Sequence, residues 1–108
     1  MQVNQLWDKI RKLKGETLRT LDHRKPFVIV AVTENTVTVM PRSTQKERPI
    51  PRDGIENAFR RLTVTGKLTL AELEDEFTSR NPVYTAAILA EMPGVKYYLN
   101  PIQLTWTG

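Results

Sequence analysis

The sequence predicts an α+β protein: an N-terminal amphipathic helix and a small antiparallel sheet, followed by three helices and a C-terminal β-hairpin. Three observations predict it. Apolar residues recur at helical spacing near the N-terminus and again through residues 55–77. β-branched residues crowd positions 27–39 in runs too short for helices. Gly, Pro and Asn punctuate the boundaries between these segments.

The elements follow in order. Val3, Leu6, Trp7, Ile10 and Leu13 make one apolar stripe, predicting a helix over residues 3–13. Lys9, Arg11, Lys12 and Lys14 crowd its C-terminal end, where cations suit the helix dipole, and Gly15 is placed to stop it. Thr17 to Leu21 reads as a short strand and Asp22-His23-Arg24-Lys25-Pro26 as a polar turn. Phe27 to Val32 is apolar throughout, predicting a central strand buried on both faces. Thr33 to Thr36 is a hairpin turn, after which Val37 and Val39 alternate with Thr36, Thr38 and Met40 as a half-exposed strand. Pro41, Pro49 and Pro51 then predict an irregular loop over residues 41–52.

In the second half, Ile55, Ala58, Phe59 and Leu62 form a helical stripe with Asp53 as its cap. Thr69 with Glu72 three positions on is a capping-box pattern, opening a helix whose stripe is Leu70, Leu73 and Phe77. Asn81-Pro82 starts a third helix that runs to about Met92, where Pro93-Gly94 ends it. Val95–Leu99 and Ile102–Trp106 read as two strands around Asn100-Pro101. Residues 1–108 are expected to form one domain, with 1–52 and 53–108 sharing a core, because neither half has enough large apolar residues alone.

Several function classes find no footing. Without cysteine there is no disulfide, thiolate metal site or thiol nucleophile. The single histidine, His23, sits in a charged turn, so the usual zinc sites cannot be assembled. Glu72, Asp75 and Glu76 share a helix face opposite the apolar stripe and read as a solvated acidic face. The five glycines are widely separated, which excludes a phosphate-cradling loop, and no serine stands in a nucleophile elbow. A non-enzymatic protein with no metal and no cofactor is expected. The longest apolar run, Phe27–Val32, is far shorter than a membrane helix, and no secretory leader is visible at the N-terminus, so a cytoplasmic protein is expected.

The net charge of +4 is unevenly spread. Residues 1–52 carry eleven Lys/Arg against five Asp/Glu, whereas residues 53–108 carry five against seven. A basic half points to a polyanionic partner. The densest cationic segment is the proline-bounded loop with Arg42, Lys46, Arg48 and Arg52, extended by Arg19, Arg24 and Lys25 and by Lys9, Arg11 and Lys12. Side chains of this kind contact phosphates rather than bases.

The order helix, helix, helix, two-stranded hairpin across Asp53–Trp106 resembles the winged helix-turn-helix family. The residues that carry it are the helices Ile55–Leu62, Leu70–Phe77 and Pro82–Met92, the short connector Thr78-Ser79-Arg80, and the hairpin Val95–Trp106. The resemblance implies that the third helix reads a DNA groove, with Ser79, Arg80, Asn81, Tyr84 and Thr85 at its N-terminal end, and that Lys96 and Tyr98 form the polar face of the wing. This third helix departs from the family pattern, being apolar at Val83, Ala86, Ala87, Ile88, Leu89, Ala90 and Met92. A helix apolar on all sides is normally buried.

The sequence therefore predicts a nucleic-acid-binding protein, DNA before RNA, that contacts phosphates. The other reading is a protein-interaction or dimerisation module, an adaptor, inhibitor or homodimer, using the apolar third helix and the hairpin with Tyr97, Tyr98 and Trp106. No membrane partner is expected.

Overall fold

The computed structural model describes residues 2–77 and 80–108. Four helices and two antiparallel sheets are present among them. Helix α1, Val3–Arg11, buries Leu6, Trp7 and Ile10. It stops two residues before the apolar spacing does, and Gly15 turns the chain with φ +86°. Strands β1 (Thr17–Arg19), β2 (Pro26–Val32), β3 (Thr36–Pro41) and β4 (Arg48–Pro51) form one sheet in chain order. The Trp7 indole N–H donates to the Thr33 carbonyl at 2.8 Å, fastening α1 to the turn between β2 and β3.

Two sequence expectations need correction here. Strand β2 is covered on one face only: Phe27 and Ile29 are buried, while Val28 and Val30 are half-buried on the other side. An all-apolar strand thus lies in a sheet with a single packed face, so its composition overstates its burial. Residues 41–52 are not wholly irregular, because β4 pairs with β3 through Arg48↔Val39 and Ile50↔Val37. Its prolines, Pro49 and Pro51, are two residues apart on the outermost strand. Strand period then points both missing N–H groups at the open edge, where no ladder bond is lost.

Strand β4 passes directly into α2, Arg52–Thr65, with Pro51 at the N-cap position. Asp53 is therefore not the cap; it lies in the first turn, where its charge still suits the dipole. Ile55, Ala58, Phe59 and Leu62 are buried, and Gly66, at φ +83°, ends the helix by donating its N–H to the Leu62 carbonyl. A three-residue strand that the sequence reading does not anticipate, β5 (Lys67–Thr69), follows. Thr69 and Glu72 make both bonds of the predicted capping box. They open α3, Leu70–Glu72, which continues as a π-helical turn over Leu73–Phe77 in place of the regular helix expected.

Helix α4, Pro82–Ala90, precedes β6 (Val95–Tyr98) and β7 (Gln103–Trp106). The second sheet has the order β5-β7-β6. Buried residues from both halves form one cluster running from Leu6 to Leu104. Helix α4 sits in its middle, with Thr85, Ala86, Ala87, Ile88 and Leu89 all buried. The sheet of the first half supplies part of that cover: α4 packs on β1, and Tyr84 meets Phe27 edge-on at 5.0 Å between ring centres. No helix among the described residues is long and apolar enough to cross a membrane.

Candidate nucleic-acid interface

The rim of α4 gathers cations from segments far apart in the chain. At its N-terminal end, Lys25, Pro26, Pro41, Arg42, Ser43 and Tyr84 line a cleft of about 380 Å³. Lys25 comes from the β1–β2 turn, Arg42 from just beyond β3 and Tyr84 from the first turn of α4. Strand pairing explains the meeting: Pro26 and Arg42 are held together by an Arg42 N–H to Pro26 carbonyl bond of 3.2 Å. The Arg42 guanidinium then reaches back across β2 to the Thr17 hydroxyl at 3.2 Å.

One helical turn further along, a second cleft of about 360 Å³ lies between β1, α4 and the hairpin, with Arg19, Arg24, Glu91 and Tyr97 among its lining residues. The Arg19 guanidinium donates to the Arg24 carbonyl at 3.0 Å, and Arg24 holds φ +55°, so the turn is fixed by its own side chain and backbone. Beyond the helix end, Lys9 and Lys12 of α1 flank Pro93 in a third cleft. From Tyr84 to Pro93 the track follows about 14 Å of chain at helical rise. None of Arg19, Arg24, Lys25 and Arg42 is in an ion pair among the described residues. The nearby carboxylates are Glu91, in the second cleft, Asp8, in the third, and Asp22, which accepts the His23 N–H.

Arg24, Lys25, Arg42 and Tyr84 are thus brought together. Arg80, exposed, and Asn81, half-buried, stand at the adjoining helix start. Lys46 lies on the exposed turn that follows Ser43. The other loop cations do not join them. Arg48 points to the packed side of β4 with Ile50, and its Nε is buried with no hydrogen-bond partner among the described residues. Arg52 lies at the opposite end of β3 from Arg42, roughly 20 Å away at strand rise. Its guanidinium stands over the Trp7 ring at 5.0 Å, bonds Glu56 at 3.2 Å and donates to the Glu34 carbonyl at 3.0 Å. It is a structural cation. The expected single patch from Pro41 to Arg52 is therefore divided, because β4 carries the chain from one end of the sheet to the other.

The helix-reading residues also need correction. Thr85 is fully buried and its hydroxyl donates to the Asn81 carbonyl at 3.1 Å, so it faces inward. Ser79 lies outside the described residues. Covered by the helical half on one side and by the sheet on the other, α4 offers neither a groove-reading face nor a free apolar face for a partner. The acids of the α3 segment do face solvent, Asp75 and Glu76 being exposed and Glu72 half-buried, and Arg61 bridges Glu72 at 3.6 Å and Glu76 at 3.0 Å across that face. The hydrogen bond that the Glu76 carboxylate accepts from it, then the charge of Glu76, raise the Arg61 pKa above its ordinary value.

Lys96 is exposed on the hairpin, on the opposite face from Tyr97. Its cross-strand neighbour Thr105 pairs on its far side with Lys67, a cation that sequence reasoning missed because β5 was not recognised. The only signal available was the alternation of Lys67 and Thr69 about Leu68. No protein-family model, no curated protein and no solved structure matches this chain.

Proposed function

We propose that this chain binds nucleic acid, DNA in the first instance, by holding backbone phosphates along the cationic track beside α4. The observation that carries the reading is the convergence of Arg24, Lys25 and Arg42, drawn from two separate turns, on the rim of one helix without carboxylate partners among the described residues. Cations that make no ion pair within the fold are available to release counterions from a polyanion. The sheet order β5-β7-β6 after α2, with α3 and α4 between β5 and the hairpin, supports the winged-helix reading of Asp53–Trp106. The mode of contact differs from that family's groove reading, because the covered α4 leaves the neighbouring turns to do the binding.

Fluorescence anisotropy with a labelled oligonucleotide tests the proposal. If four cations neutralise one phosphate each, log affinity for duplex falls against log salt with a slope of about −3.6. Combining Lys25→Glu with Arg42→Glu is expected to weaken binding by at least about tenfold, as two phosphate contacts are lost and two repulsions gained. Unchanged affinity in a folded double variant would rule the track out.

A further inference from the structure

The solvent face of the second sheet is built differently from the clefts. Its residues fall in two rows: Lys67, Thr105 and Lys96 in one, Thr69, Gln103 and Tyr98 in the next. The opposite face buries Leu68 and Leu104 against the protein and carries Tyr97, 41% exposed, at its edge. Tyr98 is 56% exposed, and Leu99 beside it is 44% exposed at the hairpin end. Lys67 and Lys96 are exposed and make no ion pair among the described residues. The nearest acids in sequence are Glu72, engaged by Thr69 and Arg61, for Lys67, and Glu91, which lines the second cleft, for Lys96.

We infer that this face is a stacking platform for unpaired bases, so that the chain prefers single-stranded nucleic acid to duplex; the inference rests on the nucleic-acid reading above. Three features of the fold converge on it. An exposed aromatic ring on a sheet face that also carries two lysines outside any ion pair among the described residues presents a π-face and phosphate contacts together, the chemistry that holds bases no longer stacked on one another. Duplex recognition through the major groove needs a protruding helix or ribbon with polar tips, and α4 is covered. The platform lies across the edge strand from the track: Tyr97, next in sequence to Tyr98, lines the cleft with Arg19 and Arg24 from the other face of β6, so a strand leaving that cleft reaches Tyr98 by passing round the sheet edge. The exposed Lys67 and Lys96, with Thr69, Thr105 and Gln103 on the same face, select a polyanion over an apolar protein surface.

The test compares a labelled oligothymidylate with a mixed-sequence duplex of equal length, using the whole chain, Tyr98→Ala, Tyr98→Phe and the Lys25→Glu/Arg42→Glu double variant. Tighter binding of the single strand, a loss of about tenfold with Tyr98→Ala and retention with Tyr98→Phe are expected. Because Tyr98 is exposed, its truncation leaves no void, and circular dichroism checks the fold. Equal or tighter duplex binding, or no effect of Tyr98→Ala, overturns the platform while binding lost in the double variant keeps the track. Failure of the native chain to bind either form sinks both. A native dimer in sedimentation that Tyr98→Ala turns to monomer overturns the platform too, by making the hairpin a self-association surface.

Discussion

Arg52→Ala separates a cation that holds the fold from one that binds a ligand. The side chain is 28% exposed and its partner Glu56 is 16% exposed, so both are partly withdrawn from water. A cation over an indole at a partly exposed site contributes about 1 kcal/mol. The ion pair with the Glu56 carboxylate and the hydrogen bond donated to the Glu34 carbonyl contribute about 1–1.5 kcal/mol together, after exchange with water. The Glu34 carboxylate, 79% exposed and 3.9 Å away, adds little to this. Removal should also leave Glu56 without its cation. The expected loss is about 2–3 kcal/mol, a large part of the stability of a domain this size. Urea unfolding followed by Trp7 emission should show a lower midpoint with unchanged m, and nucleic-acid affinity of the folded variant should stay within about twofold. A loss below about 0.5 kcal/mol, typical of ordinary surface changes, would refute the packing argument. A large affinity loss in a fully folded variant would return Arg52 to the binding surface.

Other outcomes follow from the same geometry. Phe59→Ala should cost about 3–5 kcal/mol, read by thermal unfolding, because the fully buried ring also packs edge-on against Trp106 at 5.5 Å. Gly94→Ala should destabilise more than Gly66→Ala: both sit at positive φ, but only at Gly94 would the new Cβ come within 3.1 Å of Trp106. Replacing Pro49 and Pro51 with threonine should open the edge of β4 and promote association at high concentration, which light scattering would detect. Amide exchange at Ala86–Leu89 should occur only by global unfolding, with the same opening free energy as Ile29 and Val39; faster exchange in α4 would mean that the sheet lifts from it.

What was legible in the sequence depended on how each element is stabilised. The stripes of α1 and α2, and the Thr69–Glu72 box, are local patterns that need no knowledge of partners, and all three appear. Strand β4 was hidden because proline is a poor strand residue in general, and only its position on an outer edge makes two of them harmless. Strand β5 was hidden by its length, since three residues carry too little alternation. For the site, the sequence identified the cations but grouped them by proximity in the chain. Arg42 and Arg52 were neighbours in that sense and are at opposite ends of the sheet, whereas Lys25 and Arg42, seventeen positions apart in the sequence, share a cleft.

The covering of α4 links the fold to the proposed binding surface. Its run from Val83 to Ala90 is almost wholly apolar, so it needs cover on more than one side, and one side is filled by its own half of the chain. The remaining cover comes from the basic first half. A sheet laid on a helix can bury only its strands; its turns must project past the helix at either end. Those turns carry Arg24 and Lys25 on one connection and Arg42 on another. The contact that removes α4 from any groove therefore sets cations along its rim. The charge asymmetry between the two halves becomes, in space, a positive rim along one side of a buried helix. Side chains placed in this way are selected by backbone topology and lie where phosphates, not base edges, are the reachable part of a nucleic acid.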